Sequence, residues 1–353
     1  MASAATGTTS MIFCFFSTRL FDSDFRRPLI EALIAKGYQA WHIRIGRQNI
    51  LTQPSEKSVE FVGIAGFFRL IRFIQTHSKI GCVVFVDTTG AFVPVRSLAL
   101  RAALRGLWCF DIFDNLLYDL GGFRRLRRWL EISLLTWFSP IKIVLSRETL
   151  RLFPTAYHLE NAAHTARVER AESSLNDLVC LFMIDRRFDF ALVKEVATLA
   201  PALKIHLYGR LGTHDRTTRG HFEELCASYP NVIYRGEYGS HEVDTILVPF
   251  GIGFTPYATN SALTEFINPD KYYLFLNSGM EVISTDIPQA RRMSEFIHIA
   301  GSAMEVIQLV ARIRAEPACR KNRLIPDFGW ERRADDLVKI VRSHGGAASR
   351  FEM

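Results

Sequence analysis

Short apolar runs alternate with segments of helical periodicity from residue 11 to residue 146. Such runs, bounded by polar residues, are typical of buried strands, whereas apolar positions three and four apart indicate a helix with one buried face. Pro28 favours a helix start and Gly37 a helix end. The predicted strands are 11–16, 38–45, 82–87, the first part of 107–114, and 141–146; the predicted helices are 29–36, 66–77, 94–104 and 125–138.

The same alternation restarts beyond residue 164. Strands are predicted at 178–184, 204–209, 231–238, 245–250 and 281–286, and helices at 188–200, 221–229, 270–279, 303–315 and 332–344. Alternation of this kind builds parallel sheets covered by helices. We therefore predict an α/β fold with two Rossmann-like, doubly wound domains facing a cleft. The alternative is one large α/β domain.

Length and composition agree with that organisation. The chain has 353 residues, 48% hydrophobic and 22% charged, which fits about two globular domains and excludes long disorder. The six cysteines include no Cys-x-x-Cys pair, which argues against a zinc site or a disulfide scaffold. The apolar run 11–16 is far shorter than a membrane-spanning helix and no basic residue precedes it, so we expect no signal peptide and a cytoplasmic protein.

Positive charge is concentrated in the first half of the chain. Residues 1–158 carry 20 Lys and Arg against 11 Asp and Glu, a net charge of +9, whereas residues 159–353 carry 23 against 25. A one-sided basic surface predicts an anionic partner, such as a phosphorylated substrate, a membrane surface or nucleic acid. No signature of a nucleic-acid-binding module accompanies the charge, so we expect no nucleic-acid partner.

The segment 249–285 carries the clearest candidate site. An apolar run leads into a Gly-rich aromatic loop, and Pro269 then opens a helix that contains Lys271 and ends at Ser278 and Gly279. A helix N-terminus with a nearby lysine favours phosphate groups. The alternative is that Pro269 and Gly279 are ordinary helix caps.

The pattern Pro-x-Lys, short helix, Ser-Gly, Val-Ile-Ser-Thr resembles the donor-binding region of GT-B glycosyltransferases, especially bacterial enzymes that build exopolysaccharides and other surface glycans. Most of the chain takes part in this resemblance. Four further fragments take part. They are similar to the start of the nucleotide-binding domain, to the family's strand carrying Val-x-x-x-Gly, to the interdomain hinge, and to the terminal Trp with its crossover helix; they lie at 181–210, 231–238, 158–164 and 328–341.

The resemblance implies the domain roles and the substrates. Residues 1–158 would form an acceptor-binding, membrane-facing domain, residues 159–330 a nucleotide-sugar-binding domain, and residues 331–353 the crossover helix and tail. The donor would be a nucleoside diphosphate sugar, with no cofactor and no metal ion. The expected donor-binding residues of the Pro-x-Lys segment are Lys271, Tyr273, Ser278, Gly279 and Met280.

Three positions depart from the usual family pattern. Leu274 stands where many relatives have a ribose-binding Glu, Glu281 replaces a usual Pro, and Ala162 replaces the hinge Gly. The chain therefore resembles a divergent branch, such as the xanthan glucuronosyltransferase group. The lost Glu also leaves open a member that binds nucleotide or glycan without turnover, and a nucleotide-sugar epimerase is a further alternative.

Two carboxylates follow a predicted strand of the first domain. An inverting glycosyl transfer needs a base near the acceptor hydroxyl, whereas a retaining one does not. Asp111 and Asp114 are candidates, with Asp114 preferred, and on one helical turn they would share a face. Helix capping is the alternative. The loop 22–27, with Asp22, Asp24, Arg26 and Arg27, is a second source of acceptor contacts and of the base.

Other candidate donor contacts also follow strands. Arg186 and Arg187 would neutralise the leaving diphosphate, Gly209 would permit close approach of a ligand, and Tyr238 would stack on a base. A solvated turn is the alternative for the arginines.

Basic and apolar residues are mixed in two helices of the first half. Arg69 and Arg72 lie among Phe and Leu residues, and a longer helix contains Arg124, Arg125, Arg127, Arg128 and Trp129. Such faces suit an anionic headgroup layer. Ordinary core packing with solvated arginines is the alternative. We therefore expect a glycosyltransferase acting on a lipid-linked or surface-glycan acceptor, peripheral at the inner face of the cell membrane.

Overall fold

The computed structural model describes residues 11–17, 24, 26–46, 58–77, 82–88, 94–112, 122–163, 172–212, 216–321 and 328–348. The chain forms two compact units, one of residues 1–160 with 330–353 and one of residues 161–329. The predicted division lay between residues 158 and 159. Each unit is described below by itself.

The first unit is built on a seven-stranded sheet with the order β3-β2-β1-β4-β5-β6-β7, and its described pairings are all parallel. Its strands are β1 (Met11–Ser17), β2 (Gln39–Gly46), β3 (Ser58–Val62), β4 (Cys82–Asp87), β5 (Leu107–Ile112), β6 (Ile141–Val144) and β7 (Tyr157–His158). Its helices include α1 (Arg27–Ala35), α2 (Gly63–His77), α3 (Pro94–Ala103) and α4 (Gly122–Trp137). A short 3-10 helix spans Glu148–Arg151.

Local sequence explains the boundaries of α1. Pro28 lies in its first turn, and Gly37 follows its end with φ of 85° and donates its amide to the carbonyl of Ile34. This left-handed conformation costs glycine little and gives the helix its C-terminal cap. The predicted start and end of this helix are confirmed.

Helices α2, α3 and α4 cover the same face of the first sheet. Trp108 of β5 belongs to the apolar cluster that includes Leu70 of α2 and Leu100 of α3. Phe110 and Ile112, which share a face with Trp108 because strand side chains alternate, pack with Ile132 and Leu135 of α4. The two basic, aromatic helices singled out from the sequence, α2 and α4, therefore lie in one layer.

The second unit repeats the same strand arrangement. Its six parallel strands follow the order β10-β9-β8-β11-β12-β13. They are β8 (Asp177–Leu181), β9 (Lys204–Tyr208), β10 (Val232–Tyr234), β11 (Ile252–Thr255), β12 (Glu281–Thr285) and β13 (His298–Ala300). The helices are α5 (Phe190–Leu199), α6 (Arg216–Ser228), α7 (Val243–Leu247), α8 (Ala262–Glu265), α9 (Asp270–Asn277), α10 (Pro288–Arg292) and α11 (Ala303–Ala315), with 3-10 turns at Glu172–Asn176, Ser240–Glu242 and Pro317–Cys319.

One predicted strand of this unit is wrong. The segment 245–250 was expected to be a strand, but it contains the end of α7, and the strand β11 begins at Ile252. An apolar run of this length fits a short buried helix as well as a strand. After the second unit the chain returns, and α12 (Trp330–Ala348) packs against α1 in the first unit.

Candidate functional site

Loops that follow the strands of the second sheet meet at its carboxyl edge. The amide of Asp189, after β8, donates to the carbonyl of Pro256, after β11, at 2.8 Å. In return the amide of Ala258 donates to the carbonyl of Arg187, also at 2.8 Å. In a doubly wound sheet this edge is where ligands bind. The loops after β8 and β11 are therefore joined by two backbone hydrogen bonds at the carboxyl edge of the sheet.

Lys271 and Tyr238 come together at this edge. Lys271 lies in the first turn of α9, its side chain is 17% exposed, and Nζ donates to Asp270 at 2.9 Å and to the Tyr238 hydroxyl. Burial alone would lower the pKa of Lys271, but Asp270 and Tyr238 outweigh it and raise the pKa above its usual value. Burial likewise raises the pKa of Tyr238, although Lys271 opposes the shift. A permanent cation therefore sits beside a protonated phenol.

The N-terminus of α9 adds peptide amides to that cation. Pro269 is the N-cap and provides no side-chain hydrogen bond to the helix. The first amides of a helix have no carbonyl partner within it and carry a partial positive charge. Lys271 and these amides form a group suited to an anion such as a diphosphate.

Arg187 belongs to the same edge and is engaged by Asp185. Its Nη2 lies 2.6 Å from Asp185 Oδ2, and its Nε donates to Asp185 Oδ1 at 3.0 Å. Tyr257 is buried close to Arg187 and Asp270. Burial raises the pKa of Tyr257, Tyr272 and Asp270 raise it further, and Arg187 opposes the rise. Arg186, the other predicted phosphate contact, is exposed on the same loop.

In the first unit, Asp111 lies inside β5 and not after it as predicted. Its two carboxylate oxygens accept from Nε and Nη2 of Arg26, each at 2.7 Å, and both side chains are almost completely buried. Asp111 has strand geometry, so the helical turn predicted to begin at Asp111 is wrong. Asp114 and Asp22 lie outside the described residues.

Asp24, shortly before α1, is also held by buried hydrogen bonds. Asp24 accepts from the amide of Arg26 at 2.8 Å and lies 3.1 Å from His42 Nε2. Burial would raise the pKa of Asp24, but hydrogen bonds from His42, Ser17 and the Arg26 amide lower it overall. Asp24 and Arg26 are buried. The prediction that they contact the acceptor is therefore corrected: both side chains are engaged in contacts within the first unit. Arg27 is part-exposed and pairs with Glu31.

A third buried carboxylate at this edge was missed in the sequence. Asp87 ends β4, is 1% exposed, and contacts Ser97 and Arg101 of α3. The guanidinium of Arg101 lies 4.6 Å above the Trp108 ring. An Asp at the end of an apolar run was the available signal. Asp24, Asp87 and Asp111 are thus each paired with a basic side chain of the first unit.

Comparison with known proteins gives a short sequence match and long structural ones. No protein-family model matches the chain. A stretch of 112 residues is 30% identical to the putative teichuronic acid biosynthesis glycosyltransferase TuaH of Bacillus subtilis (strain 168), and it covers 32% of this chain and 27% of TuaH. The chain therefore matches about a quarter of the length of that relative.

Solved structures match almost end to end. Anabaena Alr3699/HepE, in complex with UDP and glucose, has a TM-score of 0.66 and 11% identity, with 97% of this chain and 99% of that chain covered. A mutant of S. aureus TarM, in complex with fondaparinux, alpha-GlcNAc-glycerol and UDP, has a TM-score of 0.66 and 9% identity, covering 94% and 99%.

The chain has the GT-B glycosyltransferase fold. The resemblance and the fold class predicted from the sequence are thereby confirmed. At identities near 10% these structures show the fold alone, so the placement of each residue in this GT-B chain rests on its own geometry.

Several predicted donor contacts of the GT-B chain turn out to be buried. Tyr273 and Met280 are 0% exposed within the core of the second unit, and Tyr273 packs its ring against Phe328. A nucleotide cannot reach such side chains without unpacking the core. Both predictions are corrected: the side chains of Tyr273, within α9, and Met280, just after it, anchor this part of the chain in the core.

The peptide amides near Ser278 are also committed elsewhere. The amides of Ser278, Gly279 and Met280 donate to the carbonyls of Leu274, Leu276 and Phe275, and the Ser278 hydroxyl donates to Leu274. Gly279, with φ of 78°, forms the C-terminal cap of α9. This is the carbonyl end of the helix, where negative charge is disfavoured. Ser278 and Gly279 therefore form the helix cap, which for Gly279 is the alternative raised above.

Gly209 is required by the protein backbone. It has φ of 143°, and a Cβ placed there would lie 1.6 Å from the carbonyl oxygen of Phe182. Its amide donates to Gly236 at 2.8 Å, and its carbonyl accepts from the Tyr234 hydroxyl at 3.0 Å. The close approach predicted at Gly209 is thus made by the loop after β8 and not by a ligand.

Two departures from the GT-B pattern have clear structural settings. Leu274 is half-buried and packs against the core. Glu281 is 0% exposed; its Oε2 lies 2.9 Å from His298 Nε2 and accepts from the Lys321 amide at 3.0 Å. The Glu that replaces a usual Pro therefore ties β12 to β13. Ala162, in the predicted hinge, is buried.

The described part of the chain offers neither a metal-ligand cluster nor a membrane-spanning helix. No group of three or more His, Cys, Asp or Glu there could hold a metal ion. No described helix has the length and hydropathy needed to cross a membrane. Of the predicted membrane contacts, Arg124, Arg125, Arg127 and Trp129 are exposed on α4. Arg128 departs from the expectation, because its side chain is only 27% exposed and lies 3.5 Å from Glu131.

Proposed function

We propose that this chain is a glycosyltransferase that moves a sugar from a nucleoside diphosphate sugar to a lipid-linked glycan acceptor at a membrane surface. One observation carries the part of this proposal that concerns the donor: the positively charged Lys271 lies beside Tyr238 at the N-terminus of α9. The match to the glycosyltransferase TuaH supports the activity, and the UDP complexes of HepE and TarM support the donor class.

The chemistry demands positive charge where Lys271 provides it. Breaking the bond between the sugar and the diphosphate leaves negative charge on the departing oxygens, and fixed cations and amides at that place lower the barrier. Lys271 would donate from Nζ to a phosphate oxygen, and the first amides of α9 would add their partial charge. Arg187 is close enough to the same edge to share this role if its contact with Asp185 rearranges.

The part of the proposal that concerns the acceptor rests on features of the first unit. Its excess of positive charge and the exposed basic, aromatic face of α4 suit a substrate carried on an anionic membrane. We further propose a hexosyl or glycuronosyl transfer that needs no metal ion. Asp114 remains the proposed base if the reaction inverts the anomeric configuration.

Leu274 supports one competing function. Its hydrocarbon side chain has no group that could bind ribose hydroxyls, so a member that binds UDP-sugar without turnover stays a real alternative. Release of UDP from a UDP-sugar by the purified chain, with and without a lipid-linked acceptor extract, separates the two. Binding without any release of UDP would favour the non-catalytic function.

Lys271→Ala is expected to weaken UDP binding by about 1–3 kcal/mol, roughly 5- to 150-fold in Kd, because one charge-assisted contact to the diphosphate is lost. Titration calorimetry with UDP measures this directly. Tyr238→Phe should have a smaller effect, since it removes only a hydrogen bond that orients Lys271.

Lys204→Ala is the matched control for Lys271→Ala. Lys204 is an exposed lysine at the amino end of β9, on the opposite edge of the same sheet, so its loss should leave the Kd for UDP unchanged. If both variants bind UDP like the wild type while remaining folded, Lys271 is not the diphosphate contact.

A further inference from the structure

Helix α4 carries a continuous row of exposed apolar side chains. Phe123 is 78% exposed and Trp137 is 85% exposed, and about half of each side chain between them in the row is exposed. The row consists of Phe123, Leu126, Trp129, Leu130, Leu134 and Trp137, and each of them lies three or four residues from another member. Such spacing places them on one side of the helix. The buried residues Ile132 and Leu135 face the sheet from the other side.

This row is unlike the ordinary surface of a soluble domain. Single exposed apolar residues are common and need no explanation, but contiguous apolar patches mark interaction sites. Three of the six side chains are aromatic, and both tryptophans have a ring N–H for the polar layer. Trp and Phe with flanking arginines are the composition of helices that lie in the membrane interface.

The charges beside the row have one sign. Arg124, Arg125 and Arg127 are exposed next to it. The only acid of the helix, Glu131, is neutralised by Arg127 at 2.9 Å and Arg128 at 3.5 Å. A rim of arginines around an apolar face complements anionic lipid headgroups above a hydrocarbon layer.

We propose that α4 docks the protein on an anionic bilayer by inserting this row to the depth of the headgroup–acyl boundary, with the helix parallel to the membrane plane. The helix is about 24 Å long at 1.5 Å per residue and carries five charged residues, so it lies in the interface and does not span. This proposal deepens the proposed function. It rests on that function in one respect: a lipid-linked acceptor is the reason for the protein to dock on a membrane. It assigns the main docking role to the apolar row and a secondary one to the arginines.

A second copy of the chain fits the same face less well. A two-fold interface places the same patch of both copies in contact. The arginine rims would then meet across the interface, and like charges facing one another oppose association. Anionic lipid removes that repulsion. We therefore assign the face to the bilayer and keep self-association as an outcome of the test.

The experiment is flotation of the full chain with vesicles of phosphatidylcholine containing about 30% phosphatidylglycerol, compared at low salt and at about 0.5 M NaCl, where surface electrostatics are largely screened. One variant replaces Phe123, Trp129 and Trp137 by Ser, and a second replaces Arg124, Arg125 and Arg127 by Gln. The control is Leu199→Ser, which removes a half-exposed apolar residue of the second unit.

Wild type should stay mostly bound at high salt, because apolar insertion is not screened. The Ser variant should lose binding at least about tenfold at both salts, and the Gln variant should lose only the salt-sensitive part. Ser-variant binding equal to wild type, or wild-type release by salt alone, overturns the proposal. A further result would also overturn it: the wild type forms a dimer in gel filtration and does not bind vesicles, and the Ser variant is a monomer.

A second readout keeps this proposal apart from the proposed function. UDP affinity, measured on all variants, depends only on the second unit and should not change. Vesicle binding with no affinity for UDP would remove the glycosyltransferase proposal and leave the docking face standing. The reverse result would remove the docking face alone.

Discussion

Asp111→Ala is expected to lower the free energy of unfolding of the first unit by about 3–5 kcal/mol. The substitution removes both 2.7 Å contacts to Arg26, whose side chain is 2% exposed. Removing one partner of a buried ion pair leaves a charge in a poorly solvated place, which costs far more than losing a surface pair. Urea unfolding followed by circular dichroism, with UDP present to hold the second unit folded, measures the loss.

Two comparisons show whether the cost comes from the buried pair. Asp335→Ala breaks the exposed pair with Lys36 and should cost less than about 1 kcal/mol. The double replacement Arg26→Met with Asp111→Leu should be less destabilising than the two single changes added together. If Asp111→Ala unfolds like the wild type but has no turnover, Asp111 is a catalytic group and its structural role is wrong.

Asp114→Asn is expected to reduce turnover by roughly 10²- to 10⁴-fold, the usual contribution of a general base. Asp114 follows the last residue of β5 by two positions in the sequence, and a parallel sheet binds ligands at the carboxyl ends of its strands. Asp111 and Asp24 are buried and already paired with other side chains. Of the carboxylates predicted as bases, Asp114 is therefore the one that follows β5 most closely in the sequence. The Asn side chain keeps the shape and removes the basic oxygen.

The measurement is release of UDP from the donor in the presence of acceptor, with the Kd for UDP determined in parallel. The Kd should be unchanged, because the nucleotide site lies in the second unit. Asp119→Asn, further along the same segment, is the control and should keep turnover. Near-normal turnover of Asp114→Asn would move the base to Asp22 or indicate a retaining mechanism.

The amino-acid sequence by itself determined the fold class and most of the helices and strands. Uninterrupted apolar runs identify β1, β4 and β8 because strands buried on both faces show no alternation. Pro28 and Gly37 delimit α1, and Gly279 ends α9, because these residues restrict or permit backbone angles locally. Such signals act within a few residues, so they are readable without knowing what lies across the sheet.

Only tertiary structure decided where β11 lies. The apolar run that ends in Phe250 resembled a strand, whereas the true strand contains Gly253. Gly253 is needed because a Cβ there would lie 2.3 Å from the Phe275 ring of α9. That requirement comes from the helix packed on the strand, and nothing in the local pattern announces it.

The candidate sites divide in the same way. Residue type and position near a helix start indicated Lys271, but only packing separated it from Tyr273 two positions later, which faces the core. The partner of Asp111 is 85 residues away in the chain, and strand pairing brings the two together. Periodicity also gives α4 an apolar side without saying whether protein covers it. In the structure only Ile132 and Leu135 of that helix are buried, because the sheet reaches one side of the helix and leaves the row from Phe123 to Trp137 exposed.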